Sequence, residues 1–282
     1  MQIKKRTKNV KTMDKQYNRI YSRNIGILSE SEQDQLHRAK IGIAGIGGVG
    51  GLLAERLLRL GIGQLKIIDP GTFEESNLNR QFSSSVTNLG HYKIEEVYRQ
   101  IKDINPQAKI DCDITGINTD ADAIQFAIDC DLVIDEMDFG LFAQSIWLQR
   151  AARRGGKHYF FTSAIGFGAL IVIFDPKGMT LEEYDDLPPN IDLTTIKKIN
   201  VPLERTLPVI PSYAPATTCQ GLQEIYNGAG AVPTVSIGVG LASILAANEA
   251  INIILQKREI VVAPRYTYID LMDREFIIGE IS

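Results

Sequence analysis

The chain has 282 residues, 44% of them hydrophobic and 23% charged, enough to bury the core of one large α/β domain. A net charge of −4 excludes the basic footprint of a nucleic-acid-binding surface. Its three cysteines, Cys112, Cys130 and Cys219, lie far apart, which excludes a disulfide framework and a C-x-x-C zinc motif; no zinc is expected, and the usage fits a reducing cytoplasm.

Residues 1–30 read as an N-terminal arm. Its first half is basic (Lys4, Lys5, Arg6, Lys8, Lys11, Lys15) but has no apolar run, so it reads as a solvated terminus and not a signal peptide. Residues 31–174 read as a nucleotide-binding domain. A helix is expected over Ser31–Arg38 with Ser31 as its cap, then a buried strand over Lys40–Ala44 and a leucine-striped helix over Gly48–Leu60. A strand over Gln64–Asp69, a helix over Lys93–Ile104, a strand over Lys109–Ile114, a helix over Asp120–Ile128 and a strand over Leu132–Asp135 continue the alternation. A helix over Leu141–Arg154 follows, then strands over His158–Ala164 and Phe167–Phe174 joined through Gly166. Strands separated by helices of this length imply right-handed crossovers and an α/β fold with a doubly wound, mostly parallel sheet.

Residues 175–218 carry seven prolines and form a long, partly extended connection. Residues 219–282 complete the same domain. Their apolar run from Val232 to Leu255 is broken by Ser236, Gly238, Gly240 and Ser243 and stopped by Asn248 and Glu249. The unbroken part is shorter than the ~20 residues a bilayer requires, so a buried helix and no membrane are expected. Two strands, Arg265–Leu271 and Glu275–Ile278, pair around Met272-Asp273 as a C-terminal antiparallel extension.

Between the first strand and its helix stands Gly45-Ile46-Gly47-Gly48-Val49-Gly50. Glycines let the backbone turn sharply and approach phosphate, and the helix N-terminus supplies free N–H groups and a positive dipole end. Asp69, at the end of the second strand, stands where a carboxylate bonds ribose hydroxyls. The loop establishes a nucleotide but not which one; an NAD(P)-binding oxidoreductase, or a non-catalytic nucleotide sensor, shares it.

The following segment discriminates. Ser76-Asn77-Leu78-Asn79-Arg80-Gln81, followed by Lys93, concentrates amide and cationic donors where a triphosphate would lie. Arginine matches phosphate oxygens bidentately and lysine adds a point charge. Adenylation needs that neutralisation, because a carboxylate attacks the α-phosphorus and pyrophosphate leaves. Asp138, just past the strand ending at Asp135, is either a Mg²⁺ ligand or the cap of the next helix. Cys112 and Cys130 read as structural, and His37, His91 and His158 are too scattered for a metal site.

The set Gly45, Gly47, Gly48, Gly50, Asp69, Ser76 to Gln81, Lys93 and Asp135-x-x-Asp138 resembles the ThiF/MoeB/HesA group, the bacterial relatives of ubiquitin-activating enzymes, over roughly Tyr17 to Ala164. The resemblance implies a Rossmann-like, ubiquitin-activating-enzyme-like fold and ATP-dependent adenylation of a carboxylate, with ATP and Mg²⁺ as cofactors. It implies that Asp69 holds the ribose and that Asn77, Asn79, Arg80 and Gln81 line the triphosphate. Arg80 and Lys93 would neutralise the phosphates and Asp138 would bind Mg²⁺. Tyr21-Ser-Arg23-Asn24 is similar to the family's N-terminal motif, which makes Arg23 an arginine finger reaching the other subunit of a homodimer. Cys219 lies where some relatives form a thioester or persulfide, against the bland reading of a small buried side chain. The acceptor would be the C-terminus of a ubiquitin-like carrier, or a short peptide or small-molecule carboxylate. Phe139 stands where the family often has asparagine, and the family's paired zinc motifs are absent.

Overall fold

The computed structural model describes residues 15–194, 199, 201–217, 221 and 232–281; Cys219 lies outside them. Elements in chain order are α1 (Lys15–Ile20), α2 (Glu30–Arg38), β1 (Lys40–Ala44), α3 (Gly48–Leu60), β2 (Gln64–Ile68), a 3-10 turn (Glu75–Asn77), α4 (Lys93–Ile104), β3 (Lys109–Asp113), α5 (Asp120–Ala127) and β4 (Leu132–Asp135). There follow α6 (Phe142–Arg154), β5 (Tyr159–Ile165), β6 (Gly168–Phe174), α7 (Leu181–Tyr184), α8 (Leu203–Thr206), α9 (Ser236–Leu255), β7 (Arg265–Asp270) and β8 (Glu275–Glu280).

The strands form one eight-stranded sheet in the order β3-β2-β1-β4-β5-β6-β7-β8. Pairs from β3 through β5 are parallel, and β5–β6, β6–β7 and β7–β8 are antiparallel. The antiparallel half therefore begins at the β5–β6 hairpin. Alternation along the strands divides the core. Ile41, Ile43, Ile134 and Phe160 join α3, α4 and α9 on one face, while Ala44, Val133 and Tyr159 join α5 and α6 on the other. Between β1 and β4 the strand order reverses, and the crevice outside the carboxyl ends of those strands is where open α/β sheets bind ligands.

Three details differ from the sequence reading. The α2 cap is Ser29, not Ser31: its hydroxyl accepts the Glu32 N–H, and Glu32 reaches back to the Ser29 N–H at 2.7 Å. The second half of the 1–30 arm is fastened to the domain, since Tyr17, Tyr21 and Leu28 are buried and the Tyr17 hydroxyl donates to the Gly61 carbonyl at 2.6 Å; residues 1–14, most of the basic stretch, lie outside the described residues. The 175–217 connection holds α7 and α8, and its Tyr213 hydroxyl accepts the Phe167 N–H at 2.6 Å while donating to Asp270 at 2.8 Å, tying it to the tip of the β5–β6 hairpin. The helix α9 is long and apolar enough to cross a bilayer, but most of it is buried, packed against α3, β5 and β6.

Candidate nucleotide site

The glycine loop is stitched to both neighbouring strands. Gly45 N–H donates to the Ile68 carbonyl at 2.8 Å, and Glu136 N–H donates to the Ala44 carbonyl at 2.7 Å. Gly45 has φ +90°, and a Cβ there would lie 2.2 Å from the Glu136 carbonyl oxygen; a Cβ on Gly50 would lie 1.9 Å from the Gly45 carbonyl oxygen. Only glycine fits at either position. The loop thus leads straight into the first turn of α3, whose cap residue Gly47 offers no side chain to occupy the helix's free N–H groups.

Asp69 is buried at the end of β2, and each of its oxygens takes a main-chain donor: Oδ2 from Ile46 N–H and Oδ1 from Gly71 N–H, both at 2.7 Å. A carboxylate has about four acceptor sites, so it keeps capacity for hydroxyl donors while shaping the loop. Lys93, the first residue of α4, brings its Nζ to the Gly71 turn after Asp69, 3.2 Å from where a Gly71 Cβ would stand.

The segment after the 3-10 turn splits. Asn77 turns inward, its Oδ1 accepting the Glu74 N–H at 3.1 Å, so its amide closes the turn and does not face the loop. Asn79 donates to the Thr234 carbonyl at 3.0 Å, and Arg80 donates to the Asn79 side chain at 2.9 Å and the Ser76 carbonyl at 3.1 Å. Those bonds tie the guanidinium to its own segment, while Arg80 Cγ lies 3.6 Å from where a Gly48 Cβ would stand. Gln81 is buried, its Oε1 has no partner, and its Nε2 lies 3.6 Å from where a Gly47 Cβ would stand. The donor Nε2 is thus the part of this amide nearest the loop, while the unpaired oxygen is an acceptor and cannot bond a phosphate oxygen.

On the β4 side, Asp138 is exposed and does not cap α6, whose cap residue is Leu141 and carries no side-chain bond. Asp135 is buried and committed: Oδ2 accepts the Tyr159 hydroxyl at 2.6 Å and Oδ1 the Met137 N–H at 3.0 Å, while burial pushes its carboxyl up. Among the described residues no three His, Cys, Asp or Glu side chains cluster as a metal cage. Magnesium is held by one or two carboxylates plus substrate phosphates and water, and the exposed Asp138 carboxylate is the side chain that could serve it here. Burial also pushes the Cys130 thiol up, to about 12, as in a structural side chain, whereas Cys112 is exposed on β3. Arg23 is exposed on the turn after α1, which Tyr21 and Asn24 fasten to the Leu58 and Leu60 carbonyls at the far end of α3.

Glu136 and Thr162 belong to this rim and went unnoticed in the sequence. The Thr162 hydroxyl lies 2.6 and 2.8 Å from the two Glu136 carboxyl oxygens, and burial raises that carboxyl well above the ordinary range. The signal was present in the Asp135-Glu136 alternation, which sends the second carboxyl to the α3 face, opposite Asp135.

A model of the ThiF family matches residues 21–280. A tRNA threonylcarbamoyladenosine dehydratase of Bacillus subtilis is 30% identical over 90 residues, 32% of this chain and 35% of that protein. An adenylyltransferase and sulfurtransferase UBA4 of Candida albicans is 33% identical over 110 residues, 39% of this chain and 25% of that one. The chain thus spans about a third or less of the length of these curated relatives. Among solved structures, E. coli MccB with AMPCPP and MccA superposes with a TM-score of 0.69 at 20% identity, over 96% of this chain and 74% of that one, a likeness of fold.

Proposed function

From a chain that belongs to the ThiF family, we propose an ATP-dependent adenylyltransferase that activates a carboxylate as an acyl-adenylate. The observation that carries it is the convergence, at the β1–β4 switch point, of the glycine loop, Asp69, the Gln81 amide nitrogen, Arg80 and Lys93. Nicotinamide chemistry needs no such collection of phosphate donors.

In this reading the loop N–H groups and the α3 N-terminus hold phosphate oxygens, Asp69 holds the ribose, and Asn79, Arg80 and Gln81 line the triphosphate, with Arg80 and Lys93 neutralising its charge. Asn77 supports them by fixing the turn. Asp138 would hold Mg²⁺, which would supply charge stabilisation for the leaving pyrophosphate. An acceptor carboxylate oxygen attacks the α-phosphorus, a carboxyl–phosphate bond forms, and pyrophosphate leaves with the electron pair of the broken P–O bond. No proton transfer is required.

Two acceptor classes fit: the C-terminus of a ubiquitin-like carrier, and a short peptide or small-molecule carboxylate. The enzyme works as a cytoplasmic homodimer in which Arg23 serves the neighbouring subunit. Cys219 keeps its proposed role as an acyl or sulfur carrier, with no geometry to support it. ATP–pyrophosphate exchange with candidate carboxylates tests the reading; a protein that binds no MgATP by calorimetry would end it.

A further inference from the structure

The turn that carries Asp138 lies directly against the glycine loop. β4 ends at Asp135 and α6 begins at Phe142. Between them the Glu136–Met137 peptide packs on Gly45, whose Cβ would stand 2.2 Å from the Glu136 carbonyl oxygen and 2.7 Å from the Met137 nitrogen. Asp138 is the next residue, so its backbone stands one peptide from the loop, as a ligand of an ion shared with bound phosphates must. Bonds at both its residues set that peptide's orientation. Glu136 N–H donates to the Ala44 carbonyl at 2.7 Å, and Met137 N–H donates to Asp135 Oδ1 at 3.0 Å. The second bond depends on where the Asp135 side chain points. Tyr159, on the neighbouring strand β5, fixes it by donating its hydroxyl to Asp135 Oδ2 at 2.6 Å, and the Ser145 hydroxyl of α6 bonds the same carboxyl. Neither Tyr159 nor Asp135 is open to a ligand, since they are only 1% and 4% exposed.

Within the adenylation reading, on which this rests, we propose that Tyr159 and Asp135 are positioning residues that hold Asp138 where it serves magnesium. Neither touches nucleotide or metal. The Tyr159 hydroxyl orients the Asp135 carboxyl, Asp135 Oδ1 holds the Met137 N–H, and Asp138 follows on a fixed backbone. Without the hydroxyl, a buried carboxyl loses a partner and is released to turn away from Met137. Asp138 then gives up its preset place beside the loop. Groups that orient a metal's ligands in this way typically govern about tenfold to a hundredfold in metal affinity.

The test follows Mn²⁺, standing in for magnesium, by electron paramagnetic resonance in the full chain with α,β-methylene ATP, which cannot be split between its first two phosphates. Tyr159→Phe keeps the ring and should raise the Mn²⁺ dissociation constant about tenfold. Affinity for the same analogue in EDTA should stay within about twofold of native, because the loop keeps its bonds to Ile68 and Asp69. ATP–pyrophosphate exchange should need more magnesium for half-saturation, with its rate at saturation preserved. Asp138→Ala should lose more Mn²⁺ affinity than Tyr159→Phe, and the double variant should be no weaker than Asp138→Ala alone. If Tyr159→Phe does not fold, as judged by circular dichroism, Ser145→Ala carries the test in the same direction. Unchanged Mn²⁺ affinity in Tyr159→Phe or Asp138→Ala, an equal loss of metal-free analogue binding, or additive losses in the double variant overturns the inference and leaves adenylation standing. A native chain that binds neither the analogue nor MgATP ends the adenylation reading and this inference with it.

Discussion

At Gly45 the backbone sits at φ +90° with the Glu136 carbonyl where a side chain would begin. Gly45→Ala therefore meets a left-handed backbone penalty of ~1–2 kcal/mol and an overpacking penalty of ~1–3 kcal/mol, and urea unfolding should show that loss together with failure to bind MgATP. Arg80→Ala and Lys93→Ala touch charge and not packing. Each should lower exchange activity by about a hundredfold with an unchanged melting temperature. Asp185, buried beside Glu182, has its carboxyl pushed up to about 8. Between the ordinary aspartate range and that value the folded chain holds a proton that the unfolded chain has released, so stability falls as pH rises across that window. Asp185→Asn should be more stable than the native chain at pH 8 and nearly equal at pH 4, in urea titrations at both. The glycine spacing at Gly45 and Gly50 was legible as sequence because a turn this tight admits no side chain, and the strand-end position of Asp69 put it beside the loop. Asn77 and Glu136 were not: an amide that closes a turn and one that faces phosphate are spelled alike, and the face a strand-end acid occupies depends on the register of its neighbours.

Elements with a strong period were placed to the residue. The limits of β1, α3, α4 and β4 coincide with the apolar runs and stripes at 40–44, 48–60, 93–104 and 132–135. The start of α2 was ambiguous because Ser29 and Ser31 each have an acid three residues on, Glu32 and Asp34. The choice falls on Ser29, whose preceding Leu28 is buried and fixes the chain's entry angle. Ser29→Ala should cost about 1 kcal/mol, and Ser31→Ala a few tenths, by thermal melts. The same box, Thr180 with Glu183, opens α7 inside a stretch that its prolines had marked as extended. Proline density reports where helices cannot run on; a single turn fitted between prolines, with Leu181 and Tyr184 buried beneath it, escapes that signal. The antiparallel turn of the sheet at β5–β6 was visible only as Gly166 between two apolar runs, and hairpin pairing is a tertiary fact.

Over the whole molecule, the decisive distance runs along α3. Its N-terminus carries the glycine loop, whereas the turn bearing Arg23 is tied to carbonyls of its last turn by Tyr21 and Asn24. Thirteen helical residues span about 20 Å, and an arginine side chain is far shorter, so Arg23 cannot serve the site of its own chain. In the proposed two-fold homodimer Arg23 would stand by the mouth of the partner's site, and each active site would be a composite. Exposed Ile244, Phe276 and Ile278, on α9 and the edge strand β8, supply apolar surface for such an association. Complementation follows. Arg23→Ala and Lys93→Ala homodimers should each be nearly inactive. Mixed and allowed to exchange subunits, they should recover about one quarter of native exchange activity, because half the dimers are hybrid and one of the two sites in each has both residues intact. Light scattering of the mixture should report dimers throughout. Were Arg23 to act within its own chain, or not at all, mixing would recover nothing beyond the average of the two variants.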